Sequence, residues 1–311
     1  MPSHLNYLII LFLAFSILQV SETLGQGKVS TLPRPNYIDS IKTTEEVLLL
    51  IGKLNNTYKN FTPQSKITEL SDWCKNNLKA NRLKDWTKVD FDHNGLTDII
   101  IVGKYYSVNA ICILDMGKSY QFEPISFGHY NCIGIDVIKD KIRCRIFDTN
   151  KNTTTTPVPI VTKYLVYRYG GFIDENANPA QHRIEKITYS TTRCFGKCTI
   201  FEININNNRH ASLNAIKDNT IEGQTMSGNY HAVITESKYK ALTDLLNYMN
   251  FEKLDNSYSP KLKDAQKAIL TITYDNGKIK TITDNGLKGT QSLTYLHRLL
   301  FDLRKNQDWK K

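Results

Sequence analysis

The sequence predicts an α+β protein of two domains, each an antiparallel β-sheet with packed helices. Three observations predict it. Short β-patterned runs between turn residues fill the middle of both halves. Amphipathic stretches of helical period open the first half and close the second. Between them, residues 174–181 (DENANPAQ) are polar, proline-containing and without period, which sets domains at 40–175 and 182–311.

A chain of 311 residues, 41% hydrophobic and 23% charged, can bury a sizeable core. Its net charge is +10, yet the lysines are scattered and the dense basic runs are only Arg304-Lys305 and Lys310-Lys311. A nucleic-acid binder concentrates charge on one face, so this distribution argues against that class. It suits a basic surface that adheres weakly to anionic polymers or headgroups.

Residues 8–20 (LIILFLAFSILQV) form an apolar run followed by small and polar residues. The run is shorter than the roughly 20 residues of a membrane span and matches a signal-peptide core, giving a signal peptide over 1–27. An uncleaved N-terminal anchor is the alternative. The expected location is exported: periplasmic, cell-surface or secreted. Residues 28–39 read as a linker.

Within the first domain, Ile41, Val47, Leu48, Ile51 and Leu54 predict a helix over 40–59. Ile67, Leu70, Trp73, Cys74 and Leu78 predict another over 64–83, with Cys74 a buried thiol in its stripe. Strands follow at 97–106, 110–115 and 161–169, with a hairpin at 132–138 and 141–147. Alternation places Ile133, Ile135 and Val137 on one face and Cys132 on the other; Ile142, Cys144 and Ile146 share the partner's apolar face. Cys132 and Cys144 therefore point apart, which argues against a bridge between them. In the second domain, strands are expected at 184–192, 199–205, 211–216 and 229–234. Thr235 caps a helix over 238–249, the Asp275-Asn276-Gly277 turn joins strands 268–274 and 278–283, and a last helix spans 291–305.

The most suggestive chemistry is VDFDHNGLTDIIIVG, residues 89–103. Its D-x-D-x-N-G-x-x-D spacing lets Asp90, Asp92 and Asn94 converge, with Gly95 permitting the turn and the Leu96 carbonyl and Asp98 closing a shell of oxygens for Ca²⁺. Three carboxylates this close repel one another without a cation. His93 is expected to point outward. Residue 101 is Ile, where an EF-hand needs Glu, so an EF-hand is excluded. The segment resembles the calcium loop of FG-GAP and VCBS-type repeats, which implies a structural Ca²⁺ ligated by Asp90, Asp92, Asn94, Leu96 and Asp98. Residues 148–152 (DTNKN) are a poor second copy, so a complete propeller is not expected. A metal-free Asx turn fits the same spacing, and catalytic carboxylates are a third reading.

Cys194 and Cys198 flank a three-residue loop between two expected strands, at a separation a disulfide accepts. Free thiols, or a redox or metal role, are the alternatives. The strings TTRCFGKCTIFEININ, GNYHAVITESKYKALTDLLNYMNF, LTITYDNGKIKTITDNGLKGT and LLFDLRKNQDW carry a further likeness. Over 187–310 the chain resembles the domain of unknown function family 6438, with its C-x-G-x-C signature on Cys194, Gly196 and Cys198; Thr199 stands where that family usually has proline. The resemblance implies an α+β module of exported Bacteroidota proteins and no particular activity.

The function expected is thus a non-enzymatic binding or interaction module for a protein, peptide or polysaccharide. The rival is a carboxylate-based hydrolase of unrecognised class using Asp115 or Asp136. A third reading, a lipid-contacting or inhibitor-like module, requires an exposed apolar groove on the second domain.

Overall fold

The computed structural model describes residues 37–67, 83–106, 108–127, 133–147, 160–258 and 264–311. The expected signal peptide, most of the linker, most of the 64–83 helix, Cys74, Cys132 and residues 148–152 lie outside them. Pro33–Lys311 forms one compact unit. It is mostly antiparallel β-sheet with few helices, a more β-rich chain than two balanced α+β domains.

The helix expected over 40–59 is shorter, helix α2 (Thr44–Leu54) followed by a 3₁₀ turn at Asn56–Tyr58, and a separate one-turn helix α1 (Tyr37–Ser40) precedes it. The break falls at Thr43, whose side chain accepts the Glu46 N–H while the Glu46 carboxylate accepts the Thr43 N–H. This reciprocal cap starts a helix and cannot sit inside one. Gln64–Lys66 is a single 3₁₀ turn ending at Ile67.

A five-stranded sheet contains β1 (Thr62–Pro63), β2 (Trp86–Val89), β3 (Asp98–Tyr105), β4 (Val108–Asp115) and β5 (Tyr120–Ile125), with β1 and β2 both paired to β3. A four-stranded meander holds β6 (Ile133–Ile138), β7 (Lys141–Phe147), β8 (Ile160–Arg168) and β9 (Gly171–Asp174). Their inner faces share one core. Ile100 and Val102 of β3 and Ala110, Cys112 and Leu114 of β4 join Ile135, Ile142, Cys144, Leu165 and Phe172 of the meander. The β6–β7 register pairs Ile135 with Cys144 and Val137 with Ile142, as alternation requires. Ile99, Ile101, Ile111 and Ile113 are fully buried on the opposite face. Burial on both faces accounts for the unbroken apolar run of β3.

The C-terminal half is a seven-stranded sheet in the order β13-β12-β11-β10-β15-β16-β14. Its strands are β10 (Ile184–Thr191), β11 (Ile200–Asn206), β12 (His210–Ile221), β13 (Gln224–Val233), β14 (Ser257–Tyr258), β15 (Lys267–Tyr274) and β16 (Lys278–Asn285). Helices α3 (Glu236–Tyr248) and α4 (Gln291–Leu303) supply Leu242, Leu245, Leu246, Leu293, Leu296 and Leu300 to a core with Ile187, Tyr189, Phe201, Ile203 and Leu270. Alternate residues of β10 to β13 point away from that core and are mostly polar, with Ile216 and Val233 as exposed apolar exceptions. Edge strand β13 is guarded: His231 exchanges both backbone hydrogen bonds with Lys310, and the Tyr230 hydroxyl sits on the Ser227 backbone. Such devices block pairing with other chains.

Helix α4 also joins the halves. Asp174 at the end of β9 accepts from the Ser292 backbone N–H at 2.8 Å and the Ser292 hydroxyl at 3.1 Å. Tyr295 donates its hydroxyl to the Tyr169 carbonyl, and Arg298 pairs with Glu123 at 2.6 Å. Segment 175–183 is irregular, as its composition requires. It is pinned nonetheless: the backbone N–H groups of Asn176, Ala180 and His182 donate to Tyr248, Asn250 and Asn247 at the end of α3.

Candidate functional site

The aspartate segment is the loop of the β2–β3 hairpin, closed by the pairing of Val89 with Asp98. Its shape follows from Asx chemistry. Asp90 Oδ2 accepts the Gly95 N–H at 3.0 Å, Asp92 Oδ1 accepts the Asn94 N–H at 3.2 Å, and Asn94 Oδ1 accepts the Leu96 N–H at 2.7 Å. Gly95 takes a positive φ of 81°, the left-handed backbone that its lack of Cβ allows. His93 also has positive φ, points outward, and meets Asp140 in the β6–β7 turn at 3.0 Å.

Asp98 anchors the loop from beneath. It is completely buried, and its two oxygens accept the backbone N–H groups of Phe91 and Asp115, each at 2.8 Å. Burial drives its pKa up to about 7; the two N–H donors oppose the rise and the charges of Asp92 and Asp90 add to it. Asp92 is likewise raised, first by burial, with the Asp90 charge contributing.

The structure brings Asp90, Asp92 and Asp98 together, one carboxylate oxygen of each lying within 4.8 Å of the others. Opposite ligands of a Ca²⁺ ion stand about 4.8 Å apart, twice a typical Ca–O bond, so this spread fits one coordination shell. Asp90 Oδ1 is buried without a hydrogen-bond partner, an acceptor that a cation would satisfy. Asn94 stands beside the triad but spends its amide locally: Nδ2 donates to Asp92 at 3.1 Å and to the Asp115 carbonyl at 2.7 Å, while Oδ1 holds Leu96 N–H. Leu96 is half-buried near the β4–β5 turn at Gly117. The donor set, all hard oxygen, suits Ca²⁺ or Mg²⁺ over softer metals.

Asp115 and Asp136 are not gathered into one site. Asp115 ends β4 and accepts the Gly117 N–H; Asp136 lies on β6 and pairs with Arg143 at 2.6 Å.

A second feature was not anticipated. A groove of about 950 Å³ crosses the helix-free face of the seven-stranded sheet over β10 to β13. Lys186, Asn204, Ser212, His210 and His231 line it, with Lys310 from the C-terminus; Glu202 and Asp308 add negative charge. Register makes it: Asn204 faces Ser212, which faces His231. Thr188 donates to Asn204, which donates to Glu202, so these side chains are held in place at 2.8 Å. The only signal in the sequence is the run of alternate polar positions in each strand.

Cys194 and Cys198 form a disulfide, with Cα atoms 6.0 Å apart. Cys112 and Cys144 are free and buried, and burial pushes both thiols up. No helix among the described residues is long and apolar enough to cross a membrane.

The C-terminal half is thus a sheet, antiparallel except for the short parallel β14–β16 edge pair, backed by two helices, with a disulfide-tied turn and an open, mostly polar face. Residues 185–304 of this half match the family described as Domain of unknown function (DUF6438). No curated protein and no solved structure matches the chain.

Proposed function

We propose that the protein is a non-enzymatic binding module of an exported chain, in which a Ca²⁺-clamped N-terminal half accompanies a C-terminal recognition face. The observation that carries this reading is the groove over β10 to β13. Beside the apolar Ala211, Ala232 and Val233, its lining offers amides, hydroxyls, imidazoles and charges of both signs, donors and acceptors that suit a polar chain such as a polysaccharide or an extended peptide. Export is read from the apolar run at 8–20 and the disulfide, which persists in oxidising compartments.

The cation has a structural part here. Ca²⁺ held by Asp90, Asp92 and Asp98 relieves carboxylate repulsion and fixes the entrance to β3. At extracellular-type dissociation constants of roughly 10⁻⁴–10⁻³ M, a tenfold excess stabilises the fold by about 1.4 kcal/mol.

Arrays of oligosaccharides and of extended peptides, probed with the full chain, test the recognition face. A ligand should be retained by the wild type and released by Lys186→Ala/Asn204→Ala. Retention by the double variant with unchanged affinity would place the binding surface elsewhere.

A further inference from the structure

We infer that the disulfide-tied loop 192–199 is a docking tip for an anionic lipid surface. Phe195, at its apex, is 91% exposed, and its neighbours Arg193, Gly196 and Lys197 are exposed too. An aromatic side chain in water gives up the stabilisation that burial supplies. Here the loop is built to keep it there. The Cys194–Cys198 disulfide closes the turn, and Gly196 takes a φ of 106° at its crest. The Phe195 N–H donates to the Asp264 carbonyl at 2.9 Å. Gln266 Nε2 reaches both strands of the loop base, donating to the Thr192 carbonyl at 3.2 Å and the Thr199 carbonyl at 2.7 Å. Thr192 exchanges hydrogen bonds with Lys267. Holding an exposed anchor in one geometry lowers the ordering cost of docking.

The charges choose the partner. Residues 191–200 (TTRCFGKCTI) contain two cations and no carboxylate. Lys267 lies at the loop base, and Lys217 pairs in register with Ile200 beside it. Asp218 and Asp264 are the acidic residues bonded to this loop, both through backbone carbonyls. Two cations (Arg193 and Lys197) therefore flank the exposed phenyl ring within the loop, and two more (Lys217 and Lys267) lie at its base, against the two aspartates bonded to it. A convex tip inserts into a soft interface, where an aromatic ring sits at the headgroup boundary and Lys and Arg meet anionic headgroups. This contact uses no residue of the groove and does not depend on it.

Co-sedimentation of the exported chain, freed of the signal peptide read at 1–27, with vesicles tests the inference, using equal parts phosphatidylcholine and phosphatidylglycerol against phosphatidylcholine alone. Binding should appear only with the anionic vesicles and weaken with added salt. Phe195→Ala should weaken it about tenfold and Phe195→Trp restore it, with a blue shift in Trp fluorescence. Arg193→Gln/Lys197→Gln should weaken it about thirtyfold. Binding that ignores Phe195→Ala would be adsorption through net charge and would overturn the inference, as would no binding by the wild type.

Discussion

The Asp98 carboxylate accepts the backbone N–H of Asp115 at 2.8 Å, tying the start of β3 to the end of β4 from inside the protein. Its other oxygen holds Phe91 at the head of the aspartate loop. One buried side chain thus fixes the loop and faces the two other carboxylates of the cluster. The cation reading makes specific demands of this arrangement.

Titration with Ca²⁺ should raise the melting temperature, and a chelator should reverse the rise. In Asp90→Asn, which lacks the charge at the unpartnered buried oxygen, the rise should largely vanish. An equal rise in the variant would remove Asp90 from the site.

Acidity should act on the metal-free protein in a defined direction. The folded pKa of Asp98, about 7, lies above its ordinary value of 3.8, so between these values the folded state binds the extra proton. Its contribution to stability therefore falls as pH rises from about 4 to about 7, and is level above that. Saturating Ca²⁺ should flatten this dependence by holding Asp98 charged. Chemical denaturation across this range, with and without Ca²⁺, reads both slopes.

Gly171 tests the junction between the halves. A Cβ placed there would lie 2.4 Å from Tyr295 Cε2, while the Tyr295 hydroxyl is held by the Tyr169 carbonyl at 2.6 Å. The ring has no free direction to yield. Gly171→Ala should cost about 1–3 kcal/mol in urea unfolding, the range for overpacked sites.

Opening the Cys194–Cys198 bond should cost about 2 kcal/mol, the chain-entropy value for so short a loop. Peptide mapping after native thiol labelling should find these two cysteines protected until reductant is added. Cys112 and Cys144 should stay unlabelled in either condition, because they are buried with raised pKa values.

Much of this fold was legible in the sequence where local and tertiary preferences agree. The isoleucines of β3 mark a strand, the leucine stripe marks α4, and Asp275, Asn276 and Gly277 all adopt the positive φ that their turn implies. Strand β5 was hidden by Pro124, which reads as a breaker; β5 is an edge strand, where a missing N–H is tolerated. Strand β9 has only four residues, too few for a period. β12 runs on to Ile221 through the charged, β-poor sequence Lys217-Asp218-Asn219, with a register shift between Ala215 and Asn219 that no residue announces. The aspartate triad could be found because its three carboxylates are local in sequence. The groove could not: Lys186, Asn204, Ser212 and His231 are brought together only by strand register.

The measurement closest to the central claim is the affinity of an array-selected polysaccharide or peptide for wild type and Lys186→Ala/Asn204→Ala, side by side. The account predicts binding without turnover by the wild type, and at least about a tenfold loss in the double variant at an unchanged melting temperature. Equal affinities, or recovery of the ligand chemically cleaved, would contradict it.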